Sequence, residues 1–323
     1  MTRRAAPPDP AELAHLKAEH KHLRALLSAL PDICFVLDAE GRYLQVVGGA
    51  DPTLFNNGKD LEGRTLHEAL PDEVADRFLA LVQRTLESEE IQTLEYPRHV
   101  PGDGAPGITE RGPGGGPPLQ WFEARVAPLP GYEHSLPCVL WMAVNITQRK
   151  RMEDELRRLA TTDTLTGVSN RRYLLEQADN EIRRARRYGH HLTVLVLDVD
   201  NFKRVNDTYG HSVGDQVLRL IARACADNLR ESDIFGRTGG EEFVAVLPET
   251  DPERARPLAD RLRRAVADLD LPAALTGHPV TVSIGGAGLE EGDNVDTLIG
   301  RADRGLYAAK RNGRNRYRFQ GPG

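Results

Sequence analysis

Cysteine is scarce and scattered: only Cys34, Cys138 and Cys225 occur among 323 residues. They stand too far apart for a metal or redox motif, so each reads as a small buried hydrophobe in a reducing compartment. No apolar run nears the ~20 residues that span a bilayer. The opening Met1-Thr2-Arg3-Arg4, followed by prolines and acids, lacks the apolar core of a signal peptide, so a cytoplasmic address is expected. Positive charge is not in excess either. Lys and Arg number 42 against 48 Asp and Glu, a formal charge of −6, which removes any general attraction for nucleic acid or an anionic membrane. What remains is an ordinary soluble composition and a length that suits two domains with separate cores.

The most informative stretch is Arg237-Thr-Gly-Gly-Glu-Glu-Phe243, set between apolar segments. Gly239-Gly240 predicts a two-residue hairpin turn, because primed turns need positive φ. That places Glu241 and Glu242 at the tip, where paired carboxylates repel by ~1 kcal/mol in water and ~4 kcal/mol at a moderate dielectric. A divalent cation would relieve the repulsion. Taken alone, the run reads equally as a solvated acidic turn. Some forty residues upstream, Leu192–Leu197 is a nearly unbroken apolar run ending in Asp198-Val199-Asp200. It has the pattern of a strand buried on both faces, and acids at its carboxyl end lie where open α/β sheets place ligands. Asp198, Glu241 and Glu242 would form an oxygen cluster suited to Mg²⁺.

The rest of the chain divides by pattern. Residues 1–30 form an N-terminal segment whose Leu13, Leu16, His20, Leu23, Leu27 and Leu30 make a heptad-like helical seam, ended by Pro31. This seam suits packing on the next domain or a dimer coiled coil. His15, His20 and His22 on it suit a solvated face. Residues 31–147 read as antiparallel strands (33–37, 43–47, 91–96, 120–127, 138–146) around a helix at 72–88. Residues 101–118, dominated by glycine and proline, are expected to be a mobile loop. Residues 148–160 form a charged linker helix with Met152, Leu156 and Leu159 on one stripe, suited to a parallel two-helix stalk or to a solvated spacer. In 161–323, helices at 170–188, 212–229, 252–268 and 295–312 alternate with strands at 192–199, 233–237, 242–247 and 280–288. This predicts an α/β sheet with one central antiparallel hairpin.

Five runs in register carry a family resemblance: Asp163–Arg172, Asp198–Asp207, Gly210–Asp215 with the Gly-Gly-Glu-Glu-Phe run, Val282–Gly285, and Tyr307–Asn315. Over 161–319 they resemble the GGDEF domain of the diguanylate cyclase family, a palm-like nucleotidyl cyclase fold. The segment ahead of it, from Ala29-Leu30-Pro31-Asp32-Ile33 to Val144-Asn145-Ile146-Thr147, resembles a PAS sensor domain. Asn145 stands where most such families have Asp, a change expected to alter contact with the linker.

The resemblance implies a reaction: two GTP molecules condense to cyclic di-GMP and two pyrophosphates, each 3′-hydroxyl attacking the other nucleotide's α-phosphate. It implies two Mg²⁺ (or Mn²⁺) per site, with Asp198, Glu241 and the Val199 carbonyl as ligands and Glu242 as a second-metal ligand or helper in hydroxyl deprotonation. Asn206 and Asp215 would read the guanine edge. Lys310 and Arg314, assisted by Lys203, would hold the triphosphate, with Phe202 packed beneath the phosphate loop. His211 would order the Gly210–Asp215 turn. Arg230 and Asp233, joined by Arg261, match an inhibitory site for the product. A homodimer through stalk and PAS domain is implied, since one site holds one GTP. The rival from another class is a non-catalytic module that binds cyclic di-GMP through Arg230 and Asp233; a different nucleotidyl cyclase is disfavoured by Asn206 with Asp215. Gly286-Ala287 replaces bulkier residues and is expected to loosen its strand. The PAS ligand is open between haem, flavin, a small metabolite and none, with His67, His99 and His134 as the histidines haem would need.

Overall fold

A computed structural model describes residues 32–48, 58–99, 119–271, 275 and 279–321, together with scattered positions between 14 and 29. The expected loop at 101–118 and most of the N-terminal leucine seam lie outside the described residues. Of that segment, His15, Glu19, His22, Leu26 and Leu27 are helical and exposed. The chain forms two compact units, Met1–Glu153 and Asp154–Gly323.

The first unit is a five-stranded antiparallel sheet in the order β2-β1-β5-β4-β3. Its strands are β1 (Ile33–Asp38), β2 (Tyr43–Gly48), β3 (Gln92–His99), β4 (Leu119–Pro128) and β5 (Cys138–Asn145). The β1–β2 turn forms because one Asp38 carboxylate oxygen accepts the Glu40 and Arg42 N–H groups at 3.0 and 2.9 Å. Alternate residues of β1, β4 and β5 (Phe35, Leu37, Phe122, Ala124, Val139 and Trp141) face one way and make a core with Ala75, Phe78, Leu81 and Val82. Those four come from helix α2 (Asp72–Ser88), which follows a short helix α1 (Leu66–Ala69) started by a Thr65–Glu68 capping box. α1 is too short for its periodicity to show in the sequence. Burying each such aromatic is worth ~1.5–3 kcal/mol, which fixes the strand register that brings Phe78 to 4.7 Å of Trp141.

Helix α3 (Thr147–Thr161) follows β5 directly. Asn145 starts it: its side-chain oxygen accepts the Thr147 N–H at 2.9 Å, while its amide donates to Gln120 on β4 at 3.2 Å. Asn145 thus links the helix start to the sheet through its amide. Arg149 pairs with Glu95 at 2.7 Å and Glu123 at 3.3 Å, fixing the first turn further. Met152, Leu156 and Leu159 share one stripe and are 60%, 66% and 50% exposed.

The second unit is a six-stranded sheet in the order β11-β10-β7-β9-β8-β6. β7 (Leu192–Val199) lies near its centre, antiparallel to β9 (Glu242–Pro248) and β10 (Val282–Gly288), and is buried along its whole length. Its residues alternate between two cores. Leu195, Leu197 and Val199 pack against α6 (His211–Ala226) and α7 (Pro252–Ala267). Leu192, Val194 and Val196 pack against α4 (Arg171–Tyr188) and α8 (Val295–Arg311). An unbroken apolar run is therefore what this strand requires. β8 (Ile234–Gly239) completes the hairpin with β9.

Two short parallel strands, β6 (Ser169–Asn170) and β11 (Tyr317–Phe319), extend the edges and were not legible as strands. A separate helix α5 (Phe202–Tyr209) precedes α6, and Gly210, at φ 84°, breaks the two apart. The expected Gly210–Asp215 turn is thus corrected: from His211 onward it is the first turns of α6. The expected loosening at Gly286-Ala287 is also corrected. β10 keeps register with β7 from Val282 to Gly288, and the Phe319 ring fills the space a Cβ at 286 would need.

Candidate active site

β7 delivers Asp198 to the end of the sheet, on the face covered by α8. The residue is 4% exposed. Lys310, on the last turn of α8, places its ammonium 2.8 Å from Asp198 Oδ1. The ion pair is off the direction of a hydrogen bond, and this buried oxygen accepts none among the described residues. Burial pushes the Asp198 carboxyl above its ordinary pKa; Lys310 opposes the rise, while the Asp200 and Asp303 charges add to it. Lys310 reaches this point because α8 lies close on β10. A Cβ on Gly285 would stand 2.0 Å from the Ala302 carbonyl oxygen and 2.2 Å from the Leu306 nitrogen.

The hairpin brings the second carboxylate. Its turn is one residue later than expected: Gly239 still pairs with Glu242, and a register shift between Arg237 and Gly239 leaves Gly240 and Glu241 as the loop. Gly240 takes φ 47°, where glycine pays no steric cost. Glu241 is therefore at the tip, and Glu242 is the exposed first residue of β9, paired in register with Asp198. The Val199 N–H donates to the Glu241 carbonyl at 3.2 Å, so strand end and hairpin tip are tied by backbone. Burial first, then the Asp198 and Glu242 charges, push the Glu241 carboxyl up, with Lys310 opposing. Glu241 thus senses the Asp198 charge.

Among the described residues, no three His, Cys, Asp or Glu side chains close on a metal-sized point. The three carboxylates expected from sequence do not converge on one point: Glu242 stands opposite Asp198 on the neighbouring strand and its charge reaches Glu241, but it is exposed. Two coupled carboxylates remain, one with a buried oxygen that accepts no hydrogen bond. That donor set suits Mg²⁺, which binds through one or two carboxylates plus waters and phosphate oxygens.

Other residues singled out from sequence fall as follows. Phe202 is buried in the core at the start of α5. Asn206 lies against Gly214, where a Cβ would stand 2.0 Å from its side-chain oxygen, so it sits beside the turn of α6 that carries Asp215. Lys203 and His211 are exposed, and among the described residues neither makes an ion pair or side-chain hydrogen bond. Arg314 is exposed just beyond α8, at φ 59°.

Arg230, Asp233 and Arg261 come together: with Arg254, Thr250 and Leu258 among others they line a cavity of about 260 Å³. The Asp233 carboxylate accepts the Arg230 N–H at 2.9 Å, and Arg261 is braced on the Asn228 carbonyl at 2.6 Å. For haem in the first unit, His67 is engaged with Asp76 at 2.8 Å, and His134 accepts the Leu136 N–H at 3.2 Å.

Sequence reasoning passed over several residues that build the site. Arg237 chelates the Gly240 carbonyl with two nitrogens at 3.0 and 2.6 Å and reaches Asp163 at 3.2 Å, bracing the hairpin tip. Its place in the Gly-Gly-Glu-Glu-Phe run was visible, but its partner, far off in sequence, was not. Asp200 accepts the Thr281 and Ser283 hydroxyls, each at 2.7 Å, and the Asn315 N–H at 3.0 Å.

With this geometry in hand, comparison with known proteins is direct. Residues 160–316 match the family model "Diguanylate cyclase, GGDEF domain", and residues 27–151 match a PAS-fold model. The response regulator PleD of Caulobacter vibrioides is 44% identical over 178 residues, which are 52% of this chain and 39% of that protein. The diguanylate cyclase DgcP of Pseudomonas aeruginosa is 44% identical over 167 residues, 51% of this chain and 24% of that protein. The chain thus spans well under half the length of these curated relatives. A crystal structure of the coiled coil and GGDEF domain of DgcB from Caulobacter crescentus, in complex with c-di-GMP, aligns with TM-score 0.51 and 32% identity over 54% of this chain and 93% of that one. A PAS-fold segment followed by this cyclase domain defines the chain as a member of the PAS–GGDEF diguanylate cyclase family.

Proposed function

We propose that this protein condenses two GTP molecules into cyclic di-GMP, releasing two pyrophosphates, with the reaction completed between the second units of two copies. The observation that carries the reading is the coupled pair at the sheet end. Asp198 is buried beside Lys310 with an oxygen that accepts no hydrogen bond, and Glu241 stands above its ordinary pKa on a hairpin tied to Val199. Such a site favours added positive charge.

Each residue then has a task. Asp198, Glu241 and the Val199 carbonyl hold divalent cation, with Glu242 at the open edge to take a second or to help the 3′-hydroxyl lose its proton. Mg²⁺ bound there would lower the attacking hydroxyl's pKa and neutralise charge on the phosphates. The Asp215 carboxylate accepts from the guanine N1–H and amino group, with the Asn206 amide beside it; Lys310 and Arg314 face the β- and γ-phosphates, and Lys203 assists from α5. Phosphoryl transfer of this kind asks mainly for positioning and charge neutralisation.

Because one site binds one nucleotide, two sites must meet; the apolar stripe Met152, Leu156 and Leu159 on α3 supplies a surface for a parallel pair. The PAS unit sets how often the two sites face each other, a population shift between arrangements. The cavity of Arg230, Asp233 and Arg261 takes the product, whose guanine or phosphate an arginine fork grips, and restrains the cyclase. A second reading, a product-binding module without catalysis, draws on that same cavity.

The test is incubation of the full chain, stripped of bound product enzymatically, with GTP and Mg²⁺, followed by chromatography for cyclic di-GMP. Product that disappears in Glu241→Ala is expected. Tight cyclic di-GMP binding with no turnover from a confirmed dimer would replace the cyclase reading with the binding one.

A further inference from the structure

The segment after α8 is held in an unusual way. Arg314 and Asn315 are consecutive non-glycine residues with left-handed backbone, at φ 59° and 45°. Side chains rarely adopt that conformation in succession unless their surroundings over-determine it. Here the surroundings do. The Arg314 N–H donates to the Ala309 carbonyl at 3.2 Å, and Arg316 Nε donates to the Arg314 carbonyl at 2.9 Å. The Asn315 N–H donates to Asp200 Oδ2 at 3.0 Å, across 115 residues of sequence. From the other side, Arg263 Nη1 on α7 donates to the Asn315 side-chain oxygen at 3.0 Å, while Arg263 Nε is braced on Asp260 at 3.0 Å.

Asp200 stands two residues beyond Asp198 on the same strand end and is 7% exposed. Its carboxylate oxygens also take the Thr281 and Ser283 hydroxyls, so it cannot swing away. The backbone of Arg314 is thereby referenced to the strand that carries the catalytic carboxylate, although the Arg314 side chain is exposed. An arginine gripping a ligand gives up side-chain freedom, and a backbone already fixed adds no further ordering cost to that loss.

We propose that Asp200 and Arg263, acting through Asn315, are positioning residues that set the Arg314 guanidinium for the nucleotide's β- and γ-phosphates. The proposal rests on the reading of Arg314 as a phosphate contact. A purely structural role, pinning the end of the chain to the sheet, would alter stability without regard to which phosphates a ligand carries.

The experiment is a double-mutant cycle on the full chain. Binding of a non-hydrolysable GTP analogue with Mg²⁺ and of guanosine is measured calorimetrically for wild type, Arg263→Ala, Arg314→Ala and the double variant. Arg314→Ala is expected to weaken the analogue by roughly tenfold or more, the weight of one hydrogen bond between charged groups. Arg263→Ala should weaken it about fivefold when Arg314 is present and less than about twofold when it is absent, because neighbours acting as one unit are not additive. Guanosine binding should not change, and turnover should show a raised KM with kcat retained. Equal losses in both backgrounds, or an equal loss for guanosine, would overturn the proposal. If Arg314→Ala itself leaves the analogue's affinity unchanged, the phosphate reading falls and takes this proposal with it. Should Arg263→Ala fail to fold, Asn315→Ala removes the same acceptor while leaving the backbone N–H on Asp200, and the same cycle applies.

Discussion

Replacing Lys310 by Met removes one charge from Asp198 while keeping most of the apolar stem in place. At the 2.8 Å separation, two unit charges attract by about 6 kcal/mol at an effective dielectric near 20. Asp198 is buried, but the lysine side chain is 34% exposed, so solvent screens a large part of that energy. Losing one partner of a fully buried pair costs ~3–5 kcal/mol and of an exposed pair under ~1 kcal/mol; about 2 kcal/mol is expected here. For a domain of this size that lowers the melting midpoint by roughly 4–8 °C near neutral pH.

The sign with pH follows from Asp198, whose carboxyl already stands above its ordinary value and rises further once Lys310 is gone. A raised acid contributes its stability in the protonated form. The deficit of Lys310→Met is therefore absent at acid pH and develops as pH rises through that raised value. Mg²⁺, binding the folded site and supplying positive charge, should narrow the gap. Calorimetric melting of both proteins across pH, with and without Mg²⁺, reads this directly. The only tryptophans, Trp121 and Trp141, lie in the first unit, so their fluorescence transition is an internal control that should not move. A deficit of the same size at every pH, indifferent to Mg²⁺, would refute the electrostatic account and leave only lost packing.

Three further outcomes are expected. Gly285→Ala drives a Cβ into the Ala302 carbonyl and the Leu306 nitrogen, and should destabilise the second unit by ~3 kcal/mol or more, read by denaturant unfolding. Because Asp198 and Glu241 are both raised, protons compete with cation on acidification, so the Mg²⁺ concentration for half-maximal turnover should climb as pH falls toward these raised values; a constant value would contradict the assignment of these carboxylates. Arg230→Ala should leave initial cyclase rates near wild type while relieving inhibition by added cyclic di-GMP at least about tenfold, and unchanged inhibition would remove the cavity of Arg230, Asp233 and Arg261 from that role.

Much of the second unit could be read from sequence because β7 is buried on both faces. Its unbroken apolar run has no other stable home, and Asp198 and Asp200 mark where it emerges. The hairpin was off by one residue because the register shift after Arg237 depends on that side chain's grip on the Gly240 carbonyl, a contact no local pattern encodes. α5 escaped notice because its eight residues, rich in Asn, Lys, Arg and Asp, enter through a left-handed Asn201 and bury only Phe202. Lys310 beside Asp198, and Asn315 on Asp200, are pairings across more than a hundred residues. They exist only once α8 has settled onto β10 through Gly285, and periodicity carries no trace of them.

The bracing of the site has a consequence for how a signal can act on it. Asp198 ends a strand locked between two neighbours, Glu241 is tied to Val199 and its loop to Arg237, and Arg314 is anchored from two sides. Little slack remains for a message to reshape any one of these parts. If each copy carries a finished half of the reaction centre, the quantity left to adjust is the effective concentration of one half around the other. Activity in such a system behaves as a bimolecular encounter made intramolecular by a tether. Tether stiffness and phase, more than chemistry, then become the adjustable parameters. Changing the length of α3 by whole or partial turns should tune output periodically while leaving nucleotide affinity untouched.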